Sequence, residues 1–168
     1  MKKEKISQDY SFCEHFYVVL ITSRLPEHEL ARQLNNHLKL GFRRLLPDLK
    51  VFHPKKTEGV PHSLFEWSSS NAIDYFLVTS SEKADSLLSE TFLFVEKREH
   101  RTTVDRLIEK IASFDFVFTT EEIPFKTPKQ TPKQRKLMEH LHNIAIDMET
   151  HLDTLKKELK YYLQKKNI

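Results

Sequence analysis

Glycine is nearly missing: Gly41 and Gly59 are the only 2 in 168 residues. A phosphate-cradling loop, a dinucleotide fingerprint and a collagen repeat each need more, so all three are excluded. Cysteine is scarcer still. Cys13 stands alone, which excludes an internal disulfide and any multi-cysteine zinc or iron–sulfur site. No apolar run approaches the roughly 18 residues of a membrane-spanning helix. An excess of one charge is lacking too, since 27 basic and 24 acidic residues leave a net charge of +3. Aromatic residues are plentiful by contrast. Twelve phenylalanines are more than a disordered chain carries, and the length suits one domain with an appendage.

The apolar pattern describes that domain. Phe16 to Ile21 is a β-branched and aromatic run, expected as a strand buried on both faces. Pro26, Glu27 and Glu29 suit the start of a helix. Leu30, Leu34 and Leu38 recur on one helical face, and Gly41 suits the stop, which predicts a helix over Glu27 to Leu40. Phe42 to Phe52 reads as an extended segment interrupted at Pro47, which points to an edge strand or a turn. His53 to Pro61 reads as a loop. Leu64–Trp67 and Ile73–Val78 follow as strands around a turn at Ser68–Asn71. Thr91–Val95 is a further strand. A second helix is expected with Thr102 or Thr103 as its cap, and Asp115–Thr119 as the last strand. The expected fold class is α+β: a mostly antiparallel sheet of five or six strands with two packing helices over residues 10–125, plus a long C-terminal helix over 131–166.

Two strands alternate in an informative way. Phe92 and Phe94 point to one face, Leu93 and Val95 to the other, and Phe116 and Phe118 oppose Val117 similarly. Both faces of the sheet centre are then apolar. Two short helices cover one face only, so the other needs its own cover.

The C-terminal helix has its own signature. Thr127-Pro128-Lys129-Gln130 repeats as Thr131-Pro132-Lys133-Gln134, and each copy fits a capping box with proline in the first turn. Leu137, Leu141, Ile144, Met148, Leu152, Leu155, Leu159 and Tyr162 then advance in steps of 4, 3, 4, 4, 3, 4 and 3. That is a coiled-coil-like seam with one stutter. A helix of about 34 residues is about 50 Å long, longer than such a domain is wide. Its seam is expected to meet a partner, most simply a second copy of the chain, the alternative being that the helix packs across the second sheet face of its own domain.

No catalytic or cofactor-binding residue emerges. His140, Asp147 and His151 share a helical stripe, but the two histidines are about 16 Å apart by rise, so no metal is expected there within one chain, and a solvated stripe is. Cys13 and His15 share a strand face without a third, orienting group. Ser68–Ser70 and Ser80–Ser81 lack the glycines of a nucleophile elbow. Lys39, Arg43, Arg44, Lys50, Lys55 and Lys56 form a basic segment over 39–56, and a second basic segment spans 129–136. With Phe65, Trp67 and Tyr75 as stacking candidates, these suggest RNA or another anion as an alternative partner. Met1 to Lys5 is charged, but the first apolar run comes late and no cleavage site follows it, so the expected compartment is the cytoplasm.

Several segments carry a family resemblance: Leu20-Ile21-Thr22-Ser23, Glu29 to Asn35, Leu38-Lys39-Leu40-Gly41-Phe42, Arg44 and Asp48-Leu49. Together they resemble the N-terminal half of the IPExxxVDY family of small bacterial proteins. Ile73-Asp74-Tyr75 reproduces the VDY end without the preceding Ile-Pro-Glu. Leu87-Leu88-Ser89-Glu90 resembles the first part of the motif but runs on into a strand. The helix after Thr131 extends past the usual family end. The resemblance implies a fold and brings no activity, cofactor or catalytic residue. The sequence therefore points to a non-enzymatic interaction or adaptor protein acting through its long helix as a homodimer. An RNA- or ribosome-associated protein is the first alternative. A small-molecule sensor or enzyme with an unidentified pocket is the second.

Overall fold

The structure is a computed structural model that describes residues 14–53, 57–80, 88–124 and 131–166, without the side chains at positions 27, 156, 158, 159, 162, 163 and 166. Cys13, Lys55, Lys56 and the first capping repeat, 127–130, lie outside the described residues. In chain order the elements are β1 (Phe16–Ser23), α1 (Glu27–Leu38), β2 (Arg43–Val51), β3 (Val60–Ser68), β4 (Asp74–Ser80), β5 (Ser89–Glu96), α2 (Arg101–Ala112), β6 (Val117–Glu122) and α3 (Pro132–Lys166). The strands form one sheet in the order β2-β3-β4-β5-β1-β6, with every neighbouring pair antiparallel. This is an α+β fold with three layers.

Alternation along the central strands builds two cores from one sheet. Val19 and Ile21 of β1, Tyr75 and Leu77 of β4, and Leu93 and Val95 of β5 face α1 and α2, where Leu30, Leu34, Val104 and Ile111 meet them. Their neighbours in sequence, Val18, Phe76, Val78, Phe92 and Phe94, face the other way and meet Met138, Leu141, Ile144 and Met148 of α3. The period of two thus places Phe92 and Phe94 together. Phe94 has no exposure, and the Phe16 ring meets those of Phe76 and Phe94 edge-on at 5.9 Å. The second face of the sheet is covered by the chain's own helix.

Several boundaries differ from the sequence expectation, each for a local reason. Helix α1 ends at Leu38, with Lys39 in the left-handed conformation (φ 53°) that Gly41 was expected to supply. Gly41 is needed for a different purpose. A Cβ there would lie 2.9 Å from Trp67 Cδ1, so glycine lets the chain pass over the indole ring. The turn is pinned by Asn35, whose side chain accepts from Phe42 N at 2.8 Å and donates to Phe42 O at 2.9 Å. Strand β3 begins at Val60, inside the expected loop. Pro61 pairs with Lys50 on the edge strand β2. Helix α2 starts at Arg101 after His100, ahead of either expected threonine cap. Arg101 sits in that first turn and bonds Asp105 at 3.0 Å and Glu122 of β6 at 2.6 Å. Strand β6 starts at Val117. Phe116 lies in the preceding turn, stacked on Phe114 at 5.1 Å, so it leaves the expected alternation. Phe118 stands 63% exposed on the edge strand.

Strand β2 is an edge strand whose register with β3 shifts between Leu45 and Leu49, around Pro47. Helix α3 opens on the second capping box as expected. Gln134 N donates to Thr131 Oγ1 at 3.2 Å, and Thr131 N to Gln134 Oε1 at 2.9 Å.

Candidate functional site

The expected partner seam divides along α3. Leu141, Ile144 and Met148 have no exposure and belong to the second core, with Leu137 and Leu152 packed against its edge. These positions are occupied by the chain's own sheet, so they offer nothing to a second chain. The physical reason is the alternating strands, whose phenylalanines claim the first half of the seam. Leu155 is half-buried, while Leu159 and Tyr162 lie outside the described side chains. Beyond Leu155, each described side chain (Lys157, Lys160, Tyr161, Gln164 and Lys165) is exposed. At about 1.5 Å per residue the helix of 35 residues is about 52 Å long, and its last three turns carry no described residue of the core.

Where α3 passes the β2 edge, the two elements leave a cleft of about 290 Å³. Pro47, Asp48, Leu49 and Lys50 line it from β2, and Asp147, Thr150, His151, Thr154 and Leu155 from α3. The register shift around Pro47 displaces β2 locally at that point. Asp147 and His151 are one turn apart and lie on the helix face toward the cleft. Asp147 Oδ2 and His151 Nε2 are shut off from solvent and have no hydrogen-bond partner among the described residues. Burial holds the Asp147 carboxyl above its ordinary range. Thr150 and Thr154 donate their hydroxyl protons back to Ile146 O and Thr150 O, both at 3.0 Å. Both oxygens of Asp48 accept from Arg44, at 2.9 and 3.0 Å.

His140 is not the solvated residue that the stripe with Asp147 and His151 suggested. Its ring lies 5.5 Å from that of His62 and 5.8 Å from that of Phe92. Burial first, then His62 and His53, push its pKa down to about 4. His140 is drawn inward by His62 of β3 and Phe92 of β5, contacts that the spacing along one helix does not report. Among the described residues no group of three or more His, Cys, Asp or Glu is placed to hold a metal ion.

The basic segment is less cationic than its composition. Arg43 is paired with Glu66 at 2.6 Å and Arg44 with Asp48, while Lys39 and Lys50 are exposed. Phe65 and Tyr75 are buried, and Trp67 packs on Tyr75 at 4.7 Å and Phe42 at 6.2 Å. They are core rings, not an open stacking platform. In the second basic segment Lys133, Arg135 and Lys136 are exposed in the first turn of α3. No described helix is long and apolar enough to cross a membrane. No family model, curated protein or solved structure matches the chain.

Proposed function

We propose that the chain is a non-enzymatic interaction protein whose α3 serves two purposes: its first half closes the domain, and its second half binds a second copy of the chain. One observation carries this reading. The described side chains after Leu155 are exposed on a helix already anchored by Met138, Leu141, Ile144 and Met148. A helix end held rigidly at its base presents its seam with little ordering cost. In the sequence the apolar positions Leu155, Leu159 and Tyr162 continue past the docked half at coiled-coil spacing. Membership of the IPExxxVDY family belongs to the same proposal and names no partner.

Sedimentation velocity across a concentration series tests it. The full chain is expected to sediment as a dimer, and chains truncated after Leu155 or carrying Leu155→Asp as folded monomers. Because the contact is apolar, raising salt from 0.1 to about 1 M leaves the dimer in place. A full chain that stays monomeric at all concentrations ends this reading.

A further inference from the structure

The two edges of the sheet are treated differently. Strand β2 is interrupted at Pro47, carries Lys50 and has α3 packed beside it, which are familiar ways of blunting an edge. Strand β6 ends the sheet on the other side and pairs only with β1 among the described strands. Its residues, Val117 to Glu122, include neither proline nor lysine. Ile123 N donates to Val18 O at 2.9 Å, and the alternation of an antiparallel ladder follows from that bond. Thr119 and Glu121 turn their backbone groups toward β1, so Thr120 and Glu122 turn theirs outward. The side chains along this edge are distinctive too. The register shift between Thr22 and Ser23 leaves Phe118 without a partner on β1, and a bulge of this kind re-aims its side chain. The ring is 63% exposed. Glu121 is exposed and makes no ion pair or hydrogen bond among the described residues. Glu122 is held by Arg101.

We propose that the β6 edge is a docking site for an extended basic peptide segment, added antiparallel as a further strand, with Lys or Arg opposite Glu121 and an apolar residue three positions later beside Phe118. The outward N–H and C=O groups of Thr120 and Glu122 supply the main-chain bonds, and the alternate side chains supply the choice of partner. The unpaired carboxylate calls for a cation, and a cross-strand pair of opposite charge is favourable. A cation placed one residue earlier, opposite Glu122, meets Arg101 and is disfavoured. A second copy of the chain fits less well. Two β6 strands paired about Thr120 would set Phe118 against Glu122 and leave each Glu121 facing Thr119, with no cation for it.

Docking on β6 does not depend on the dimer proposed through α3, whose free half leaves the sheet past β2, at the opposite edge. The probe is the blocked hexapeptide Ser-Arg-Thr-Thr-Val-Thr, in which Arg falls opposite Glu121 and Val beside Phe118. It is titrated into the full chain and followed by heteronuclear NMR. Saturable shifts centred on residues 118–122 are expected. N-methylation of the first Thr, whose N–H faces β6, is expected to weaken binding at least about fivefold. N-methylation of Arg, whose N–H faces away, is expected to leave it within about twofold. Glu121→Arg is expected to weaken the Arg peptide several-fold and to favour a peptide with Glu in that place, an exchange of preference that a merely structural role for Glu121 would not produce. The chain truncated after Leu155 is expected to bind the peptide as the full chain does, whatever its oligomeric state. Absence of saturable shifts overturns the proposal, as does equal binding of the Arg and Glu peptides by the unmodified chain or an equal effect of the two N-methyl groups. Oligomers beyond the dimer that the peptide disperses would give the edge to a second copy and overturn it as well.

Discussion

A histidine packed against another histidine away from water has to stay neutral, because two imidazolium ions would repel and each would lose its hydration. His140 is in that position beside His62, with a pKa of about 4 against an ordinary 6.5. The folded chain therefore binds fewer protons at this site than the unfolded chain between those two values. The stability it preserves is fully present above pH 6.5 and is lost as the pH falls toward 4. The loss is on the order of 3 kcal/mol at about 1.4 kcal/mol per pH unit. Asp147 runs the other way. Its carboxyl is raised by burial, so ionising it costs stability and protonation in acid relieves that cost. Replacing His140 with Leu, which keeps an apolar group against Phe92, is expected to flatten the acid limb. Urea unfolding at pH 7 and pH 4.5 checks this. Equal pH dependence in the two proteins would show that His140 is not the group responsible.

At the scale of the element, α3 combines a buried half and an exposed half. Leu141→Ala removes a side chain with no exposure from the second core and is expected to cost about 2–5 kcal/mol. Leu155→Ala, at the rim of the cleft, is expected to cost under about 1 kcal/mol, since most of its environment is open. Denaturant midpoints of the two variants measure the difference. This split was only partly legible in the sequence. The helix, its capping box at Thr131 and the heptad-like seam could be read from residue spacing, because local hydrogen bonds and apolar periodicity leave direct marks. The two-faced strands at Phe92–Val95 and Ile73–Val78 could be read for the same reason. Which chain would cover those phenylalanines could not, because spacing reports that a face is apolar and not what lies on it. The cleft was hidden as well. Asp147 and His151 sit on the helix at a polar spacing, while Leu49 and Lys50 are nearly a hundred residues away across a β2 edge whose offset depends on the register shift after Leu45.

The whole molecule is one sheet between two unlike covers. On one side two short helices lie within the run of strands, and on the other the single long helix lies after them. Removing residues 131–168 is expected to expose the faces of Phe76, Phe92 and Phe94 together and to produce a protein that binds a hydrophobic dye and aggregates. Truncation after Leu155 is expected to leave dye binding low. Dye fluorescence and light scattering on the two truncated forms distinguish these outcomes, and a soluble, dye-silent product of the longer deletion would show that α3 is dispensable for the core. The order of the covers also has a consequence for synthesis. Translation adds about 5–20 residues per second, so α3 is completed several seconds after the last strand that it protects. During that interval the nascent chain shows a row of phenylalanine rings to whatever waits at the exit port, and a holdase that grips aromatic surface has to let go before the final helix can take its place.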